Sequence, residues 1–248
     1  TTGTFTWNGT TSSFALIANG IGNRFAAISG VRLSPALSGL VAFGGLLFGT
    51  PQNTTQFLST TPGVPTPWSP LTTVGSPPSA RSRAAIGTSS VGVPVLFGGI
   101  DAAGAFLSDT WELRVVGGIT TWLGVVPNTV PPARADASMC AIGGLLLMQG
   151  GRNAAGLLND TWIFDGADWH NVTGAVRPAA GIGPVAFDAA RNEVIHIDPV
   201  SGTTSRFNVA AGTWNVLPTA NDPVSSPFAS TVTGLAEYMA FDAAHQEH

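Results

Sequence analysis

The sequence predicts an all-β protein in which small four-stranded sheets repeat along the chain and stack around an axis. Three observations predict it. A phrase of apolar strand, Gly-Gly, loop and aromatic strand recurs at an interval of about fifty residues. No long stretch carries the i, i+3, i+4, i+7 apolar spacing of an amphipathic helix. Glycine and proline, 31 and 18 of 248 residues, supply the punctuation of many tight turns without reaching a low-complexity composition.

Two units spell the repeat most fully. Leu96-Phe97-Gly98-Gly99 leads through a loop to Asp109-Thr110-Trp111-Glu112-Leu113 and then Thr121-Trp122. Met148-Gln149-Gly150-Gly151 leads to Asp160-Thr161-Trp162-Ile163-Phe164 and then Asp168-Trp169. Upstream, Phe43-Gly44-Gly45 precedes Thr55-Gln56-Phe57 and Pro67-Trp68. Downstream, Val194-Ile195-His196-Ile197 precedes Ser205-Arg206-Phe207 and Thr213-Trp214. At the N-terminus, Thr4-Phe5-Thr6-Trp7-Asn8-Gly9 overlays Thr161-Trp162-Ile163-Phe164-Asp165-Gly166. The aromatic anchors then fall at Phe5, Phe57, Trp111, Trp162 and Phe207, at spacings of 52, 54, 51 and 45. Proline-rich links separate the units: Pro77-Pro78-Ser79-Ala80-Arg81, Pro131-Pro132-Ala133-Arg134 and Arg177-Pro178. The phrase Val185-Ala186-Phe187-Asp188-Ala189-Ala190 returns as Met239-Ala240-Phe241-Asp242-Ala243-Ala244.

Each unit reads as four short strands. Residues 137–142 and 145–149 are apolar runs joined at Gly143-Gly144, a two-residue hairpin signal. Residues 161–164 are β-branched and aromatic, and Asp165-Gly166 turns the chain into 169–172. A sheet of this size cannot bury both faces alone, whereas copies stacked around an axis cover one another. The anchor rings are expected to wedge between neighbouring sheets, each contributing about 2–3 kcal/mol of burial. The Gly-Gly pairs are expected to permit positive φ and close backbone approach. No GxGxxG or GxxxxGK[ST] follows them, so a phosphate-cradling role has no support.

On these residues the chain resembles the kelch-repeat family. Gly98-Gly99, Thr110-Trp111, Trp122, Pro131 and Arg134 match its pattern, as do Gly150-Gly151, Thr161-Trp162 and Trp169. Phe57 and Phe207 stand where the family has Trp, and Ile197-Asp198 stands where it has the glycines. The resemblance covers nearly the whole chain. It implies a β-propeller of four-stranded kelch-type blades, five repeats being visible, with blade units at about 1–24, 25–75, 76–130, 131–177 and 178–220. Residues 221–248 start a last blade closed together with the N-terminal strands. Six or seven blades would need roughly 300–350 residues at this period. The final hairpin, Asp242 to Glu247, stops short of a second strand, so either a short tail is missing or the five repeats belong to a larger ring.

Composition narrows the function. Net charge is −4 with 10% charged residues, and all ten basic residues are arginine. Nucleic acid and acidic membranes recruit clustered basic residues, so neither is an expected partner. The longest apolar run, residues 39–48, is strand length, so no membrane insertion is expected. With 44% apolar residues the chain can bury a core, which argues against disorder. The single cysteine, Cys140, allows neither an internal disulfide nor a cysteine-cluster zinc site. No leader of charged and apolar regions opens the chain, so a signal peptide is expected to be already removed or to lie outside it.

No cofactor and no catalytic residue is expected. The kelch-type copper oxidases to which the resemblance extends use two tyrosines, one linked to cysteine, and two histidines; one tyrosine, Tyr238, excludes that activity by composition. His245 and His248 read as a solvated terminus. His196 reads as a structural histidine in an inner strand, where alternation opposes it to Ile195 and Ile197 and could turn it to a central channel. Asp101, Asp109, Asp160 and Asp165 recur at turns, where aspartate bonds its own backbone. Four Asn-x-Thr patterns, at Asn8, Asn53, Asn159 and Asn171, are what a Thr- and Asn-rich chain produces by chance.

The leading expectation is a non-catalytic module for binding a protein partner or for self-assembly, in a secreted or cell-surface bacterial protein. Loops 100–108, 152–159 and 198–204 should crowd one rim, offering Asp101, Phe106, Arg152, Leu157 and Leu158 as contact residues. The alternative, implied by kelch proteins that isomerise sialic acids, is a sugar-acid isomerase or lyase with an arginine-lined funnel and an anion site at Arg83, Arg134 and Arg177. Convergence of three guanidinium groups near an Asp or His would favour it, and arginines packed between blades would not.

Overall fold

The computed structural model describes residues 3–8, 13–19, 28–34, 37–59, 68–89, 91–198 and 200–217, with side chains from residue 39 onward. Every regular element among them is a β-strand. The expected closing strands within 221–248, the Met239 to Ala244 echo, Tyr238, His245 and His248 lie outside the described residues.

Four antiparallel sheets follow one another along the chain, each with its strands in sequence order. Sheet I comprises Ile28–Ser34, Leu37–Phe43, Thr55–Ser59 and Ser69–Pro70. Sheet II comprises Ala85–Thr88, Pro94–Ile100, Phe106–Val116 and Ile119–Val125. Sheet III comprises Ser138–Ile142, Leu145–Gln149, Thr161–Phe164 and Trp169–Asn171. Sheet IV comprises Val185–Asp188, Glu193–Ile197, Thr204–Asn208 and Thr213–Val216. Near the N-terminus, Gly3–Asn8 pairs with Ser13–Asn19 as a separate hairpin. The Gly143-Gly144 turn is a two-residue connection between the paired Ile142 and Leu145. The Asp165 turn is longer, because Phe164 pairs with Trp169.

The first strands of sheets I to IV contact one another in chain order, and the core lies between sheets rather than within one. Val41 and Phe43 of sheet I meet Ile86, Leu96, Leu113 and Trp122 of sheet II. Val95 and Phe97 of sheet II meet Leu146, Met148, Trp162 and Trp169 of sheet III. Ile142 and Leu147 of sheet III meet Val185, Val194, Phe207 and Trp214 of sheet IV. Sheets II and III thus each bury both faces between two neighbours, as stacking requires.

Backbone register corrects the alignment of the aromatic anchors. Thr55, Thr110, Thr161 and Thr204 occupy one position, opposite Phe43, Phe97, Gln149 and Ile197. Trp111 and Trp162 follow that threonine by one residue, Phe57 by two and Phe207 by three. The places equivalent to Trp111 and Trp162 therefore hold Gln56 and Ser205. A strand alternates its faces, so a one-residue offset sends a side chain into the opposite layer. What recurs across sheets II to IV is instead a fourth-strand Trp paired with Leu113, Phe164 or Phe207. Its indole Nε1 donates to the repeat threonine of the preceding sheet: Trp122 to Thr55 Oγ1 at 2.9 Å, Trp169 to Thr110 at 3.0 Å and Trp214 to Thr161 at 2.8 Å. Phe43 and Phe97 meet Trp122 and Trp169 edge-on across their layers, centroids 5.1 and 5.2 Å apart. The rings do wedge between sheets: the expected anchors Trp162 and Phe207 are buried in the layers, with Phe57 and Trp111 packed against one, and the fourth-strand Trp of sheets II to IV joins them.

Candidate functional site

Four of the eight ion pairs among the described residues involve the links between sheets. Each link first crosses the end of the sheet it leaves: Gly45 N donates to Arg81 O, Gly99 N to Arg134 O and Gly151 N to Gly181 O, at 2.8–3.0 Å. The close approach explains the first glycine of each pair. A Cβ on Gly98 (φ +64°) would stand 2.5 Å from Arg134 O, and one on Gly150 (φ +60°) 2.7 Å from Gly181 O.

The side chain of the link arginine then turns into the sheet it enters. Arg81 grips the Asp109 carboxylate with Nη1 and Nη2 at 2.5 and 2.7 Å, and donates to Gly98 O and Ser79 O at 3.0 Å. Arg134 repeats this on Asp160, both contacts 2.6 Å, with Gly150 O and Pro132 O at 3.0 Å. Trp111 and Trp162 donate their indole N–H to the same two carboxylates at 2.7 Å. This is the task of the third-strand Trp. Burial pushes both carboxyls up, but the hydrogen bonds from arginine and indole outweigh it and hold them below the usual carboxylate range. Forked, charge-assisted pairing of this kind orients as well as stabilises.

A second cluster joins the links to the loops between second and third strands. Arg83 and Asp136 stand two residues after Arg81 and Arg134, both in the left-handed region at φ +58° and +57°. Asp136 N donates to Arg83 O at 2.9 Å. The Asp136 carboxylate accepts from Arg83 Nη1 at 3.3 Å and from Arg152 Nε at 2.7 Å. The Arg152 guanidinium also lies over the Phe106 ring, 5.8 Å from its centroid, within cation–π range. Loops of sheets II and III are thereby coupled.

Of the residues expected from sequence, the structure brings together Arg83 and Arg152 on Asp136, and Phe106 under Arg152. Asp136 carried no sequence motif; its only signal is its offset from Arg134, which repeats that of Arg83 from Arg81. Asp101 caps its own loop, accepting from Ala103 N and Ala105 N at 2.9 Å. Leu157 is half exposed in the short hairpin Arg152–Asn153/Gly156–Leu157, and Leu158 exchanges backbone bonds with Gly151 and Gly181. Arg134 is fully buried on Asp160. Arg177 donates to Gly174 O at 3.1 Å, away from the other arginines' partners.

His196 does not reach a channel. It shares its face of sheet IV with Val194, in the layer against sheet III, and its ring meets Trp214 edge-on at 6.2 Å. His170 pairs with Asp165 at 2.8 Å on the surface, and that hydrogen bond leads in lowering the Asp165 carboxyl to about 2. The Cys140 thiol is pushed up to about 12 by burial, so it is no nucleophile at neutral pH. Among the described residues no three His, Cys, Asp or Glu side chains are grouped to hold a metal, and no helix is long and apolar enough to cross a membrane.

Comparison with curated proteins returned no match. The KLHDC2/KLHL20/DRC7 Kelch-repeats domain family matches residues 34–239. Kelch repeats generally mediate protein–protein interaction and are typically non-catalytic. The glycine pairs under the links, the third-strand Thr-Trp and the interlayer Trp fall within that match, and the chain belongs to the kelch-repeat family.

Proposed function

We propose that this chain is a non-catalytic protein-interaction module whose partner docks on the rim built from the loops between second and third strands. The observation that carries it is the coupling of two such loops through Arg152, Phe106 and Asp136, beside exposed apolar side chains on one of them and on the equivalent loops of sheets I and IV. Phe48 is 99% exposed at the tip of the Leu46–Leu47/Thr50–Pro51 hairpin, at φ +48°; Val200 is 91% and Leu157 54% exposed. An exposed ring on a strained backbone gains nothing for the isolated fold, which supports selection for contact. Two guanidiniums share the one Asp136 carboxylate, and Asp101 and Asp198 stand on neighbouring loops of the rim, so it offers charges of both signs to a partner.

Immobilised protein should capture a partner, or a second copy of itself, that the triple variant Phe48→Ser, Leu157→Ser, Val200→Ser fails to retain while keeping the same thermal midpoint. Equal capture by both would sink the rim as the docking face. A secreted or cell-surface location is part of the same reading, supported by low charge and the absence of lysine, and fractionation of the native cells tests it. So is closure of the ring as five blades by N- and C-terminal strands, which scattering of the full chain would refute by giving an elongated profile. The sugar-acid isomerase or lyase reading has less support: Arg134 is buried on Asp160 and Arg177 is held by Gly174, which leaves two of the three arginines it needs without a common target.

A further inference from the structure

The four sheets share one second-strand position: Ala42, Leu96, Met148 and His196 each precede the residue paired with the repeat threonine. Three are apolar, as an interlayer site demands. The fourth is an ionisable ring, 2% exposed, and its Nδ1 has no hydrogen-bond partner. An unsatisfied buried nitrogen weakens a layer that a methionine would fill without that penalty. We propose that His196 makes the contact between sheets III and IV an acid-opened joint, closed while the ring is neutral and released when it takes a proton.

The surroundings leave a proton little welcome. Val185 and Ser205 flank His196 across the strands, Trp214 meets it edge-on, and the Gly183 backbone is so close that a Cβ there would lie 2.5 Å from Nε2. From sheet III, Trp214 is held by the neutral Thr161 hydroxyl, itself bonded to Gln149 Oε1 at 2.6 Å. Cys140 borders the same layer with its thiol protonated. Glu193 and Arg206 belong to the opposite face of sheet IV. The charge that bears on the ring is Asp198, whose carboxylate already accepts from Ser201 Oγ at 2.7 Å and Val200 N at 2.9 Å. Burial prevails, and the imidazole is lowered from 6.5 to about 4. An unfolded or opened histidine takes its proton first, so the closed joint loses stability as pH falls below about 6.5 and continues losing it to about 4. Between pH 7 and pH 4 that difference amounts to about a 100-fold rise in the opening equilibrium.

Segment-resolved hydrogen exchange of the full chain between pH 7 and pH 4.5, corrected for intrinsic rates, tests this. Residues 185–216 and the Thr161–Phe164 strand should lose protection on acidification while sheet II keeps it. His196→Met, which borrows the residue of sheet III, should remove the pH dependence of those segments and leave the rest unchanged; His196→Leu, the residue of sheet II, is the second variant. The proposal is overturned if sheets II and IV lose protection together in the wild-type chain, a readout independent of either variant, or if a folded variant opens with the wild-type pH dependence.

Discussion

Sheet III and sheet IV are copies of one unit held by different means. In sheet III the entering link anchors Arg134 on Asp160, and the indole of Trp162 completes the grip. In sheet IV the register places Gly181 and Thr203 at those two positions, so the sheet is held by Trp214, Phe207 and its apolar layer. The repeat thus separates two jobs that its strongest copies merge. Interlayer burial, common to both sheets, builds the stack, and the arginine clamp locks a link to the sheet it enters. A copy without the clamp keeps the fold and becomes the natural place for a joint that opens.

The largest effect should come from breaking the clamp of sheet III. Arg134→Ala leaves Asp160, 19% exposed, without its counter-charge, and should cost about 3–5 kcal/mol in urea unfolding. In sheet II the carboxylate of Asp109 is 40% exposed and can recover water, so Arg81→Ala should cost less, about 1–3 kcal/mol. A reversal of that order would break the comparison. The carboxylates also set the acid limit of these sheets. Their folded pKa values are depressed, so their contribution is present above about pH 4, the ordinary carboxylate value, and is lost only as pH falls through the lowered value. Sheet II should therefore survive acidification that opens the His196 layer.

A smaller effect isolates the interlayer bond. Trp169→Phe keeps a ring in the layer between sheets II and III but deletes the N–H that Thr110 Oγ1 accepts, and should cost about 1–2 kcal/mol, including the hydroxyl left unpaired. Trp214→Phe should cost somewhat less, about 1 kcal/mol, because Thr161 Oγ1 loses the same donor but still donates to Gln149 Oε1. If the two losses differed by several kcal/mol, the indole bond would not be the common element of clamped and unclamped sheets.

The sheets, the hairpin at Gly143-Gly144 and the positive φ of the glycine pairs were legible because each rests on local pattern: apolar runs, turn residues and spacing. The equivalence of the rings was not. Phe57 and Phe207 lie near the right interval, but loops of different length absorb offsets of one or two residues, and only the pairing of Thr55 with Phe43 and Thr204 with Ile197 reveals which face each ring takes. The clamp was hidden for a related reason. Arg81, Arg134, Asp109 and Asp160 were each visible as link or turn residues, but they lie 26 to 28 positions apart, and a turn aspartate looks the same whether it bonds its own backbone or a distant arginine. Arg83, Arg152 and Phe106 could be named as loop residues; the meeting of the two arginines at Asp136, with Phe106 under Arg152, involves left-handed backbone at two links, which sequence does not announce.

The smallest expected effect comes from moving the clamp into the sheet that lacks it. Gly181 lies outside the positive-φ region, and a Cβ there meets nothing closer than Ala179 O at 3.9 Å, so a side chain can be carried. That carbonyl matches Pro132 O, which receives Arg134 Nε in sheet III. Gly181→Arg alone should destabilise by about 2–3 kcal/mol through a buried unpaired charge. Adding Thr203→Asp should recover most of that, leaving the double variant within about 1 kcal/mol of the original, since a buried ion pair roughly balances its own desolvation. Hydrogen exchange in residues 198–208, compared with the single variant, reads the recovery. If the double variant were no better than Gly181→Arg, the clamp would depend on more of sheet III than its two charged ends, and the separation of stacking from locking would have to be redrawn around the third-strand Trp that sheet IV replaces with Ser205.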